Sequence, residues 1–399
     1  MFRYLLKFRR HAAVAGAIAA SALLVACGSG GGGGGAESGT LRLALTDRPA
    51  CGYDAVFVTI QKVRVHQSGT AGESDAGWSE IVLSPAKRVD LLSLQNGVLD
   101  ELGQTSLPTG TYTQLRLVLA ANDVTNPNAN SVIPTGGTET PLTTPSAFQT
   151  GLKLNVNIDV PTGQLADFVL DFDACRSVVK RGNSGDYNLK PVLTVIPRVS
   201  FAVIGYVHTE LGVASTSVSA QKDGVPVKST TPDATGKFVL GPLPEGPFDI
   251  VVAAAGRVTA TITGVPAPTT ADIVLNDNGA LSVINPATSE SHTASGTVTI
   301  TPAVTPIDAV VVARKIYTGG PTVEVAGAQV DGDTGAFSYV LPSGAPVKSA
   351  FVTPLAFAVD GATPTGNYTL VATTGALAPK SLVVNVTTAD VIEANFAFP

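Results

Sequence analysis

The sequence predicts an all-β protein, a run of tandem antiparallel β-sandwich domains behind a signal peptide and a flexible glycine-rich tether. Three observations predict it. Only 14% of the residues are charged, whereas glycine (41), proline (27), threonine and valine are abundant and Met and Trp occur once each. That mix disfavours helices and favours many short strands joined by tight turns. Several stretches alternate apolar and polar residues with the period of a half-buried strand. The last part of the chain repeats itself at offsets of 99 and 98 positions, and repeats decide architecture.

Taken in order, Arg3, Lys7, Arg9 and Arg10 precede the almost wholly apolar run Ala12 to Ala26. Fifteen residues rise only about 22 Å as a helix, short of a hydrocarbon core of roughly 30 Å. Residues 1–26 therefore read as a secretory signal rather than an anchor helix. Leu24, Val25, Ala26 and Cys27 resemble the bacterial lipobox, in which the cysteine is lipidated and becomes the new N-terminus. The resemblance implies lasting membrane attachment through acyl chains on Cys27. The other reading is an ordinary cleavage near Ala26 that leaves Cys27 as a thiol. Gly28 follows where an aspartate favours inner-membrane retention in such lipoproteins, so the resemblance points to the outer membrane. Residues 27–39 are glycine-rich, a coil of about 20 Å root-mean-square reach. Gly28, Gly30 and Gly33 fit a dinucleotide-type spacing, but no strand precedes them and no helix follows. No cofactor is expected.

Removing the signal takes the net charge from −6 to −10, and no basic tract follows Arg10. Such a surface repels nucleic acid, whose partners need clustered Lys and Arg. The 373 residues that remain suggest two or three domains at roughly 150 residues each. The expected division is 40–199, 200–278 and 279–399.

In residues 40–199, Leu41, Leu43 and Leu45 alternate with polar or small neighbours. Val58 and Ile60 share one face, but Val63 and Val65 switch parity, which predicts a β-bulge near Gln61 and Lys62. Strands follow at Trp78–Leu83 and Lys87–Leu92, and Asn96-Gly97 marks a turn. Leu115, Leu117 and Leu119 point inward. Leu152 to Val160 is the clearest strand, with Lys153, Asn155, Asn157 and Asp159 between its apolar residues. Phe168, Leu170 and Phe172 are expected to face in, and Asp167, Asp171 and Asp173 to face out. Pro191 to Ile196 closes the domain.

Four ordered motifs, Leu45-Thr46-Asp47-Arg48-Pro49, Val89-Asp90-Leu91-Leu92-Ser93-Leu94, Gly110 to Arg116 and Leu189-Lys190-Pro191, resemble an uncharacterised family of bacterial lipoprotein domains known only as a domain of unknown function. The resemblance implies a β architecture and a lipoprotein context. It brings no activity and no catalytic residues.

The repeat pairs Thr235-Gly236-Lys237-Phe238 with Thr334-Gly335-Ala336-Phe337, and Leu243-Pro244-Glu245-Gly246 with Leu341-Pro342-Ser343-Gly344. Upstream, Gly205, Val207, Val218, Ala220 and Gln221 correspond to Gly296, Val298, Val311, Ala313 and Arg314. Downstream, Phe248–Val252 resembles Tyr368–Val371 after about twenty extra residues in the second copy. Each copy resembles the carboxypeptidase regulatory-like modules, small sandwiches of transthyretin- or immunoglobulin-like appearance, and that class is similar to carbohydrate-binding folds. The shared motifs are turn chemistry, in which glycine supplies positive φ and proline sets a corner.

Candidate sites are sparse. Cys51 and Cys175 are the cysteines besides Cys27; in an oxidising compartment they allow one pairing. Closing so long a loop stabilises by about 4–5 kcal/mol in the chain-entropy model. Free structural thiols are the other reading. Asp167, Asp171 and Asp173 are weak calcium candidates, since same-face strand neighbours about 7 Å apart cannot by themselves form a cage of six to eight oxygens. Otherwise they are solvated strand charges. Asp47, Asp54 and Asp186 could converge on them from loops. His66, His208 and His292 fall in separate domains, which argues against a nucleophile system. Trp78, Tyr53, Tyr112 and Tyr206 could stack on a sugar, although strand aromatics are more often core.

The expectation is a non-enzymatic, lipid-anchored envelope protein with three sandwiches in a row, serving as an interaction or structural module at the bacterial surface or in the periplasm, with an envelope protein or a glycan as its partner. The second class is a carbohydrate-binding protein, which an exposed row of aromatics in the last two domains would favour. Hydrolysis would require clustered carboxylates in a deep cleft.

Overall fold

The alternation in the first third of the chain is realised as two facing sheets. The strands are β1 (Ser38–Asp47), β2 (Tyr53–His66), β3 (Ser79–Asp90), β4 (Asp100–Pro108), β5 (Gly110–Leu119), β6 (Ser131–Pro134), β7 (Thr140–Thr143), β8 (Leu152–Val160) and β9 (Leu165–Phe172). A one-turn helix α1 (Ala174–Ser177) leads to β10 (Val178–Arg181), β11 (Asp186–Leu189) and β12 (Leu193–Pro197). One sheet runs β12-β9-β1-β4, the other β10-β11-β7-β6-β2-β5-β8 with β3 beside β2. Leu41, Leu43, Leu45, Ile60, Leu117 and Phe172 are fully buried within one core, each contributing about 1.5–3 kcal/mol by burial. The register of β2 shifts between Ile60 and Lys62 against both β3 and β5. This bulge returns Val63 and Val65 to the buried face.

The computed structural model describes residues 37–47, 52–144, 151–182, 184–198, 201–212, 215–279 and 282–399. The signal, Cys27, most of the tether and Cys51 lie outside them. β1 begins inside the stretch expected as tether. A Cβ on Gly39 would sit 2.3 Å from the Pro161 carbonyl oxygen, so this glycine permits a close approach of two backbones.

The second body contains β13 (Val203–Tyr206), β14 (Thr216–Lys222), β15 (Val225–Thr230), β16 (Lys237–Leu240), β17 (Phe248–Ala254), β18 (Ala260–Val265) and β19 (Ile273–Val274). The third contains β20 (Ser291–Ile300), β21 (Val310–Ile316), β22 (Thr322–Gln329), β23 (Ala336–Pro342), β24 (Val347–Ala350), β25 (Ala358–Val359), β26 (Asn367–Thr373), β27 (Lys380–Asn385) and β28 (Phe396–Phe398). Their sheets correspond strand for strand: β16-β13-β19 with β23-β20-β28, and β15-β14-β17-β18 with β22-β21-β26-β27. Both copies carry a register shift at the same place, between Ala220 and Gln221 and between Ala313 and Arg314. In both, the turn glycine is left-handed, Gly236 at φ 82° and Gly335 at φ 69°. Its carbonyl accepts from the backbone N–H of Val207 (2.9 Å) or Val298 (2.8 Å).

Two expectations about organisation are corrected. The second core includes Ile284 as well as Leu275, so that body runs past residue 278. Between them Asn276 donates its amide to the carbonyls of Tyr206 and Ser282 at 2.8 Å each. The bodies are also not strung in a row. Residues Glu37–Pro399 form one compact unit, in which each body bonds to both others. The insertion in the second copy is the clearest cause: β24 lies parallel to β18 and β25 pairs with β24, so residues of the third body extend the sheet of the second.

Candidate functional site

The polar groups of the molecule converge where the three bodies meet. β1 and β9 pair in parallel with Thr46 opposite Asp171, which sets a hydroxyl beside a carboxylate on the face turned away from the first core. Lys228, on β15 of the second body, reaches into that face. Its Nζ donates to Asp171 Oδ1 (2.6 Å), Thr46 Oγ1 (3.3 Å) and the Asp47 carbonyl (3.3 Å), so each of its three N–H groups has an acceptor. The side chains of Lys228 and Asp171 are 1% and 0% exposed. A pair removed from water this completely is held by geometry and complete hydrogen bonding, because desolvation opposes the Coulombic gain.

The outward reading of Asp171 and Asp173 is thus corrected: both are buried. Alternation did assign them to the side away from the core, but that side is covered by the other bodies. The three calcium candidates have separate tasks. Asp167 pairs with Arg42 and lies 3.9 Å from Arg198, Asp171 holds Lys228, and Asp173 caps α1 by accepting from the Arg176 N–H at 3.0 Å. Asp54 accepts from the Gly136 N–H at 3.2 Å and Asp186 stays exposed. Among the described residues no three His, Cys, Asp or Glu side chains are grouped to hold a metal. Asp47 does come near. Its Oδ1 accepts from the Ala174 N–H at 3.0 Å, while among the described residues Oδ2 has no hydrogen-bond partner. Burial pushes its carboxyl well above the usual range, the Ala174 bond and Lys228 oppose this, and the charges of Asp173 and Asp171 add to it.

On the other side of α1, Arg176 pairs with Glu324 of the third body, with Asp173 3.7 Å away. Burial raises the Glu324 carboxyl, opposed by Arg176. Gln221 of the second body brackets the same residue, its amide donating to the Glu324 carbonyl (2.7 Å) and accepting from the Glu324 N–H (2.8 Å). A cavity of about 360 Å³ lies here, lined by Arg176, Ser217, Ser229, Glu324 and Tyr339 among others. The Tyr339 hydroxyl donates to the Val311 carbonyl at 2.5 Å and accepts from the Ala328 N–H at 3.1 Å. Outer links close the junction. Arg181 pairs with Asp333 at 2.7 Å and Lys190 with Asp308. Asn96 accepts from the Val239 N–H at 2.6 Å and donates its backbone N–H to Thr230 at 2.7 Å.

The other candidates sit apart. His66 accepts from the Ser68 N–H at 2.8 Å, contacts the Ala76 carbonyl at 2.9 Å and packs on Trp78. His208 and His292 lie on the second and third bodies near Glu210 and Asp390. Trp78 is half-buried between Arg64 and Arg116. Tyr112 is buried and donates to the Pro108 carbonyl at 3.0 Å; Tyr53 packs edge-on against Tyr187, and Tyr206 is half-buried. From residue 201 onward no Phe or Tyr is exposed. Cys175, in α1, is disulfide-bonded; Cys51 is outside the described residues. Sequence reasoning did not single out Lys228, Arg176 or Glu324, and it named Gln221 only as a position of the repeat. The one available signal was Lys228 itself, a lone cation on a strand with few others.

No curated protein matches the chain. Among solved structures, the Bacillus anthracis TIE protein aligns at 13% identity and a TM-score of 0.18, covering 90% of this chain and 50% of its own, so this chain spans half of that protein. A Streptococcal ancillary pilin aligns at 12% identity and 0.15, and the Corynebacterium diphtheriae major pilin SpaA at 11% and 0.19, each over 90% of this chain and 99% of theirs. Residues 38–191, the first body up to but not including β12 and with all four of its ordered motifs, match the family described as Domain of unknown function (DUF4382).

Proposed function

We propose that the chain is a lipid-anchored envelope protein of the outer membrane whose three joined bodies act as one non-enzymatic structural or interaction module. The observation that carries this reading is the use made of the buried charges. Lys228 with Asp171, and Arg176 with Glu324, are spent on joining bodies, and loops at the sandwich ends are left to meet a partner. The anchor rests on the lipobox-like Leu24–Cys27, and a Cys51–Cys175 disulfide would tie β1's exit to α1 at the junction. The second and third bodies are read as carboxypeptidase regulatory-like modules. A sugar-binding role finds no exposed aromatic platform in them.

Labelled palmitate should enter the product, and Cys27→Ser should release it from membranes; unchanged fractionation would refute the anchor. Pull-down from envelope extracts beside a glycan array tests the module. Specific protein capture supports the reading, and saturable glycan binding replaces it.

A further inference from the structure

In the second body the sheet does not end at β18, because β24 lies beside it from Ala260 opposite Val347 to Thr263 opposite Ala350. β27 holds the same place in the third body, next to β26 as β18 is next to β17, and among the described residues no strand pairs with its outer edge. Bare edges invite pairing unless proline, a bulge or an outward charge guards them. The first body follows that rule with proline: β4 ends in Pro108 and β12 in Pro197. β27 does not. Its ladder with β26 runs unshifted from Asn367 opposite Asn385 to Ala372 opposite Lys380, and it contains no proline. Its single charge, Lys380, is turned back onto the Ala397 carbonyl and the Phe398 ring, 5.3 Å away. Leu382 and Val383 are 37% and 66% exposed.

We propose that the free edge of β27 is a strand-addition site for the same edge of a second copy of this chain, the two strands running antiparallel about a two-fold axis. The chain's own donor hairpin cannot fill the edge, because β24 is already committed to β18. A two-fold contact uses one patch twice, and this strand is complementary to itself. With Val383 at the axis, Leu382 faces Val384 and Ser381 faces Asn385, while the two Lys380 residues lie about 20 Å apart at opposite ends. The contact does not depend on the lipid anchor.

Cysteine cross-linking of the purified full-length chain in detergent tests this. In Val383→Cys, facing Cα atoms about 4.5–5.5 Å apart suit a disulfide, so mild oxidation should give a covalent dimer that the parent chain does not form. Val340→Cys, comparably exposed on β23, should stay monomeric. Val383→Asp sets two carboxylates face to face and should weaken self-association about tenfold or more in sedimentation, with an unchanged far-UV spectrum. A chain monomeric at every accessible concentration overturns the proposal. So does cross-linking no better at 383 than at 340, or a Val383→Asp chain that associates like the parent.

Discussion

The second and third bodies share a topology, a bulge and a turn glycine, yet each buries a lysine in a different way. Lys228 in the second meets a carboxylate of the first body, Asp171, at 2.6 Å. Lys315 in the third is 1% exposed and is held by the carbonyls of Pro364 (2.9 Å) and Asn367 (3.0 Å) and by the Tyr368 ring. Burial lowers Lys315 to about 8. What recurs between copies specifies the fold, and what differs specifies how the copies are joined. Lys228 ties its body to another, whereas Lys315 closes a loop within its own.

The largest effect expected from breaking this comparison is at Lys228. Lys228→Met removes the ammonium from a buried carboxylate and should cost about 3–5 kcal/mol in urea denaturation, whereas Lys315→Met at neutral pH should change stability far less. Equal losses would erase the distinction. Next in size is a pH effect confined to Lys315. Because its folded pKa of about 8 lies below that of the unfolded chain, the unfolded state binds more protons between pH 8 and about 10.5. Stability should therefore rise across that window by up to about 3 kcal/mol. A parent and a Lys315→Met chain with the same slope there would disprove the assignment.

Sameness can be tested at Gly236 and Gly335, where a Cβ would sit 2.1 and 2.0 Å from a carbonyl oxygen in a left-handed conformation. Alanine at either should cost about 2 kcal/mol, and a marked inequality would show that the copies tolerate strain differently. The smallest expected effect is Asn96→Ala, about 1 kcal/mol. It should appear as faster amide exchange at Val239 on β16 and leave the corresponding β23 unchanged.

Much of the fold was legible because its causes are local. The parity switch between Ile60 and Val63 located the bulge, Leu152–Val160 alternates as read, and the glycine motifs marked the repeat. The repeat carries one more signal: Asn276 and Asn395 each accept a backbone N–H, from Tyr206 and Thr297, at 2.8 and 2.9 Å, one residue after the paired glycines Gly205 and Gly296. The junction was not legible. Asp171 reads as a solvated strand charge because alternation says which side of a sheet a residue takes, not what lies on that side. The sequence shows about twenty extra residues in the second copy, and no period reveals that 347–350 among them pair with β18.

By itself the sequence determined the all-β class, the strand faces, the turns that need glycine and the presence of two related copies, since each follows from the conformational preferences of a few neighbouring residues. Only the tertiary structure decided that the bodies close on one another, that Lys228 finds Asp171, and that the edge of one copy is covered while the other is bare. Those outcomes depend on surfaces far apart in sequence excluding water together, and the free energy of a buried charge or an open edge is set by whatever covers it.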